Sequence, residues 1–269
     1  MSRVDRTPEN KIISHPTVPL PDENKLFRIP NKDKFFHESW HPGRNLLNIP
    51  HPFRAILAGP PNRGKSTICK NLLLRADPPF EQVIVVHYDM ETKEYDDLKG
   101  DHFFLLNEIP NVSEFSGKKK TFIILDDLPI KQLHKPQQVL LNRLYGYMST
   151  HKNISICLCS QDAYEIPVLV RRSSNLWVLW KGVDLVSLKQ LAKKSGCENL
   201  MELMRDHLHV SYDSLWLDSS PNSPAPIRVN GFKVLSCRQS GEGLMEEEEE
   251  KTQTENKQEQ NVSEHETEE

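Results

Sequence analysis

Nine consecutive residues, Gly59, Pro60, Pro61, Asn62, Arg63, Gly64, Lys65, Ser66 and Thr67, fit the pattern G-x-x-x-x-G-K-S/T with a second hydroxyl behind it. Each fixed position has a task in holding a nucleoside triphosphate such as ATP. Gly59 and Gly64 let the backbone wrap a phosphate with its N–H groups, Lys65 reaches the β- and γ-phosphates, and the Ser66 hydroxyl ligates Mg²⁺. Further on, the apolar run 121–125 ends in Asp126 and Asp127. Asp126 is expected to hold Mg²⁺ through its water shell and Asp127 to polarise the attacking water, because adjacent strand residues point in opposite directions and only one can face the metal. A third run, 154–159, ends in Ser160, Gln161 and Asp162. The Gln161 amide can hydrogen-bond the γ-phosphate or the attacking water and report hydrolysis to the sheet. Plainer readings are a chance Gly/Pro turn, a solvated turn after a core strand, and a strand cap.

All three groups must meet at one sheet edge, which requires buried parallel strands joined by helices. From residue 53 onward, short apolar runs alternate with helical stretches, the pattern of an α/β P-loop domain with a mainly parallel, three-layer sheet. Strands are expected over 53–58, 82–86, 103–106, 121–125, 155–159 and 176–180, apolar nearly throughout as strands covered on both faces must be. Helices are expected over 65–75 and 136–148. In the second of these Pro136 suits the first turn, and Val139, Leu140, Leu144, Tyr147 and Met148 form one apolar face. A helical pair follows over 183–195 and 198–208. Asn230-Gly231, between Ile227-Arg228-Val229 and Phe232-Lys233-Val234, signals a tight hairpin.

The 269 residues are 37% hydrophobic, enough for a packed core, and no run of about 18 apolar residues or apolar N-terminal leader stands out, so a soluble, unexported chain is expected. Residues 1–50 are rich in proline and read as an extended arm, 51–238 as the ATPase domain, and 239–269 as a disordered acidic tail. From Gly241 on, twelve Glu against Lys251 and Lys257 give a balance of −10, so the other 240 residues carry +6 within a net charge of −4. A basic body is compatible with a nucleic-acid partner and is also ordinary for a soluble domain. Cys69, Cys157, Cys159, Cys197 and Cys237 show no disulfide framework or metal-ligand spacing, which favours a reducing compartment. Cys157 and Cys159 share one strand face, where packing is the expected role, since two thiols make no complete metal site.

Gly-Pro-Pro-Asn-Arg-Gly-Lys-Ser-Thr, Phe-Ile-Ile-Leu-Asp-Asp, Cys-Ser-Gln-Asp, and Ile166-Pro167 followed by Arg171-Arg172-Ser173-Ser174-Asn175 stand in that order. Together they resemble the viral genome-packaging ATPases of the FtsK/HerA superfamily, of the poxvirus type also found in other large DNA viruses and virus-like transposons. The resemblance spans roughly residues 52–181. It implies an ATPase forming a pentameric or hexameric ring around double-stranded DNA, gripping it without regard to sequence and driving it into a preformed capsid through a capsid or portal component. It implies an intracellular site of action in an infected host, with no membrane partner. It also implies that Arg171 or Arg172 completes a neighbouring subunit's site; capping of the preceding helix is the plainer reading. Where the family commonly carries Asp-Glu after the second motif, this chain has Asp126-Asp127.

Other readings stay open: a small-substrate P-loop enzyme such as a nucleotide kinase, although no arginine-rich lid segment is evident, or a structural packaging protein that holds ATP without turnover. Lys189, Lys193 and Lys194, with Lys181 near them, could line a pore or form a solvated face. Lys118-Lys119-Lys120 could be a DNA contact, a nuclear-import patch or a plain loop. Trp177 and Trp180 read as core or interface.

Overall fold

The computed structural model describes residues 47–98, 100–221 and 223–237. The arm up to residue 46 and the acidic tail lie outside the described residues. Nine strands form one sheet: β1 (Arg54–Ala58), β2 (Gln82–His87), β3 (Phe103–Leu106), β4 (Thr121–Asp126), β5 (Ile154–Ser160), β6 (Leu176–Leu179), β7 (Leu215–Asp218), β8 (Ile227–Val229) and β9 (Lys233–Val234). Their spatial order is β3-β2-β4-β5-β1-β6-β7-β8-β9. The first six are parallel, and β7 to β9 extend the sheet antiparallel from β6.

Every residue of β4 is buried, and so are the first six of β5, as a central strand with helices on both faces requires. Alternate residues feed two separate cores. Ala55, Leu57, Phe122, Ile124, Cys157 and Cys159 pack with Cys69 and Leu72 of helix α1 (Lys65–Leu74). Ile56, Ile123, Leu125, Ile156 and Leu158 pack on the other face, with Leu141 of α2 (Lys135–Arg143), Val170 of α3 (Val168–Ser173), Leu188 of α4 (Leu185–Ser195) and Leu203 of α5 (Leu200–His207). The result is the expected three-layer α/β arrangement.

Several details depart from expectation. Helix α2 continues through a π turn at Leu144–Met148 into a last turn at Ser149–His151. Its covered face is Gln137, Leu141, Leu144, Tyr145 and Met148, spaced i, i+4, i+7, i+8, i+11, while Val139 and Tyr147 are exposed. Of the expected apolar face, Leu144 and Met148 are buried and Leu140 packs partly against the core, while the covered face also takes in a polar member, Gln137, whose side chain accepts from the Ile109 N–H and donates to the Ile109 carbonyl. Strand β7 has no counterpart among the expected strands, although its run Leu215-Trp216-Leu217-Asp218 is as long as β3 or β6; its antiparallel pairing with β6 is what makes it a strand. The hairpin signal held, with Asn230 at φ 52° and Gly231 at φ 82°. Trp177 and Trp180 are core residues. Among the described residues no helix is long and apolar enough to cross a membrane.

One lysine from each of the two lysine sets serves the fold. Lys194 donates to the carbonyls of Arg171, Arg172 and Ser174, at 2.9, 3.2 and 2.7 Å, and so closes the C-terminal end of α3 instead of standing in a row with Lys189. Burial, then the nearby charge of Arg54, lowers its pKa to about 8. Lys181 follows β6 at the opposite end of α4, so the four lysines do not form one stripe. Lys120 is buried, lies 4.8 Å from the Phe80 ring centroid and donates to the Pro78 carbonyl, which leaves Lys118 and Lys119 as the exposed members of that run.

Candidate nucleotide-binding site

Strand β1 delivers its C-terminal end to Gly59, whose N–H donates to the Ser160 carbonyl at 3.1 Å. No side chain fits here: a Cβ on Gly59 would sit 2.9 Å from Cβ and Cε3 of Trp180. The loop then turns through two left-handed residues, Asn62 (φ 57°) and Gly64 (φ 88°), and Gly64 caps α1. Left-handed turns of this kind suit a loop that offers backbone N–H groups to an anion, and the cap at Gly64 sets the positive end of α1 at the same place. Lys65 Nζ donates to the carbonyls of Gly59 and Pro60, both at 2.9 Å.

A cleft of about 600 Å³ opens over this loop, lined by residues Pro61 to Thr67 together with Asp126, Asp127 and Gln161. Their meeting follows from strand order. Strand β5 lies between β1 and β4, so the ends of all three strands fall side by side. Parity then aims the carboxylates. Asp126 follows Phe122 and Ile124 on the α1 face, and its Oδ2 lies 3.3 Å from Ser66 Oγ. Asp127, the next residue, has φ 52° and an exposed side chain.

The structure adds residues that the sequence reading missed: Lys70, His87, Glu94 and Tyr212 also line the cleft. Ser66 Oγ donates to Glu94 Oε2 at 2.7 Å. Tyr95 donates its hydroxyl to Asp126 Oδ2 at 2.6 Å, and burial, followed by the neighbouring thiols and Asp126, raises its pKa. Lys70 pairs with Asp97 at 2.8 Å, which ties α1 to the same loop. The loop after β2 carries Glu94, Tyr95 and Asp97 but shows no run of apolar residues and no glycine pattern. The one available signal was topological: β2 neighbours β4, so the chain leaving β2 must emerge at the nucleotide edge. Ser66, Asp126 and Glu94 together offer hard oxygen donors converging on one point, a donor set that fits Mg²⁺.

Arg171 and Arg172 are not brought to this cleft. Ser173, at the end of α3, accepts from Arg54 Nε, and Asn175 Oδ1 accepts from the Arg54 N–H; Arg54 begins β1. The arginines therefore sit at the opposite edge of the sheet from Lys65. Arg171 donates to Gln190 Oε1 at 2.9 Å, whereas Arg172 is exposed. Cys69 joins Cys157 and Cys159 behind the cleft, with its sulfur 3.4 Å from each. The three are completely buried among apolar side chains. The pKa of Cys69 is raised, first by its hydrogen bond to Cys157, and that of Cys157 is raised by burial.

No protein-family model and no curated protein matches the chain. Solved structures do. The DNA-packaging ATPase from Sulfolobus turreted icosahedral virus is 16% identical, with a TM-score of 0.50 over 66% of this chain and 97% of that one. The genome-packaging NTPase of Sulfolobus turreted icosahedral virus 2, in complex with AMPPCP, is 17% identical, with a TM-score of 0.48 over 69% of this chain and 99% of that one. The resemblance read from the motifs thus holds at the level of architecture: the chain has an α/β P-loop fold similar to that of a viral DNA-packaging ATPase.

Proposed function

We propose that the chain is an ATPase that translocates double-stranded DNA into a preformed viral capsid. The observation that carries the catalytic part is the convergence of Lys65, Ser66, Asp126, Asp127 and Gln161 in one cleft, produced by a strand order that inserts β5 between β1 and β4. In this reading the loop N–H groups and Lys65 bind the β- and γ-phosphates. Ser66 and Asp126 hold Mg²⁺, which offsets phosphate charge when bound. Asp127 orients the attacking water, and Gln161 senses the γ-phosphate. Similarity in fold to a DNA-packaging ATPase supports DNA as the partner.

A ring belongs to the same reading, with Arg172 assigned to the nucleotide of a neighbouring subunit. An exposed arginine at the edge of the sheet remote from its own cleft can reach a nucleotide only in a neighbouring subunit. Work inside an infected cell and contact with a capsid or portal component belong to the same proposal. The test is ATP hydrolysis by the purified chain with and without long duplex DNA. Stimulation by DNA, abolished in Lys65→Ala and Asp127→Asn, is expected. A rate indifferent to DNA, with stoichiometric consumption of a nucleoside monophosphate, would replace the motor with a kinase.

A further inference from the structure

The loop after β2 reaches both halves of the metal-binding set through two adjacent residues. Glu94 Oε2 accepts from Ser66 Oγ at 2.7 Å, and the Tyr95 hydroxyl donates to Asp126 Oδ2 at 2.6 Å. Ser66 has one hydroxyl proton and two carboxylate neighbours, Glu94 at 2.7 Å and Asp126 at 3.3 Å, so the shorter contact takes it. A hydroxyl that donates to Glu94 turns its lone pairs away from that carboxylate and leaves them free for a cation. Tyr95 is 2% exposed and fixed in the core, so its hydroxyl sets the rotamer of Asp126.

Resting on the nucleotide-site reading above, we propose that Glu94 and Tyr95 are positioning residues for the divalent cation. Glu94 orients the Ser66 hydroxyl and adds a second carboxylate to the cation's water shell. Tyr95 holds Asp126 in place for the same shell. The cleft then presents two outer carboxylates to the metal, Glu94 and Asp126, with Asp127 left for the water. The juxtaposition of Ser66, Glu94, Tyr95 and Asp126 thereby makes the loop after β2 a third arm of the site, beside the phosphate loop and the end of β4. Metal occupancy also becomes linked to the order of this loop, because the same segment is tied to α1 by the Lys70–Asp97 pair.

The experiment titrates Mn²⁺ by electron paramagnetic resonance into the full chain saturated with a non-hydrolysable ATP analogue. Wild type, Glu94→Gln and Tyr95→Phe are compared. Binding of a fluorescent ATP analogue in EDTA is measured in parallel. Both variants keep shape: Glu94→Gln removes the carboxylate charge while its amide oxygen still accepts from Ser66, and Tyr95→Phe removes the hydroxyl that donates to Asp126. Loss of an outer-shell partner is expected to raise the Mn²⁺ dissociation constant roughly 10- to 100-fold. Metal-free nucleotide affinity should not fall, because Glu94→Gln takes a negative charge out of the cleft and Tyr95 stands behind it, whereas Tyr95→Phe should lower the thermal midpoint by removing the donor to a buried carboxylate. Unchanged Mn²⁺ affinity in both variants overturns the assignment, even if turnover falls, and so does an equal loss of metal-free nucleotide binding. A wild-type chain that binds neither nucleotide nor Mn²⁺ overturns the nucleotide-site reading itself, an outcome distinct from either.

Discussion

His51 offers a quantitative test of how the phosphate-loop strand is anchored. Its Nε2 donates to Asn153 Oδ1 and its Nδ1 accepts from the Ser155 hydroxyl, each at 2.7 Å. Ser155 Oγ in turn accepts from the Phe53 N–H, one residue ahead of β1. A neutral imidazole satisfies this network and a protonated one breaks it. Burial lowers the His51 pKa from 6.5 to about 4; the Asn153 bond opposes the shift and the charge of Lys120 adds to it. Between those values the unfolded chain takes up a proton that the native state refuses. The stabilisation is therefore complete above pH 6.5 and is lost as the pH falls towards 4. At about 1.36 kcal/mol per pH unit the loss is at most about 3 kcal/mol. Urea unfolding of wild type and His51→Gln at pH 7, 5.5 and 4.5 isolates this histidine from the rest. The wild-type curve should fall more steeply by up to that amount, with the two proteins converging at low pH. Parallel curves would refute the neutral, buried assignment.

Further outcomes follow from the placement of particular residues. Gly59→Ala forces a Cβ to within 2.9 Å of Trp180 and should cost about 1–3 kcal/mol, read as a lower thermal midpoint together with weaker binding of a fluorescent nucleotide. Lys194→Met removes one ammonium from three carbonyls at the end of α3 and should cost about 1 kcal/mol in urea titrations, without altering nucleotide affinity. Arg171→Ala should lower the melting temperature because it releases Gln190, whereas Arg172→Ala should leave it unchanged. If Arg172 acts across subunits, mixing Arg172→Ala with Lys65→Ala chains should partly restore DNA-stimulated turnover, and intact rings without any recovery would count against it.

The parallel strands were legible because each is a short apolar run with a forced exit, and the phosphate loop because its glycines answer to backbone conformation. Asp126 and Gln161 followed from the ends of such runs. Glu94 and Tyr95 were not legible, since a polar loop carries no periodicity and their role arises only when β2 is set beside β4. The same holds for Lys194: in the sequence it is one more lysine of a charged helix, and only the packing of α4 against the end of α3 makes it a helix terminator. Gln137 shows the converse case, a polar residue on the covered face because Ile109 supplies both of its partners.

The burial of the thiols bears on single-molecule work. Cys69, Cys157, Cys159 and Cys197 are buried, and burial with the neighbouring Cys237 pushes the Cys197 thiol up to about 12. Only Cys237, beyond β9, is partly open to solvent. A maleimide dye offered at neutral pH should therefore enter at that one position, giving an optical tag on the native polypeptide, away from the cleft, without engineered substitutions.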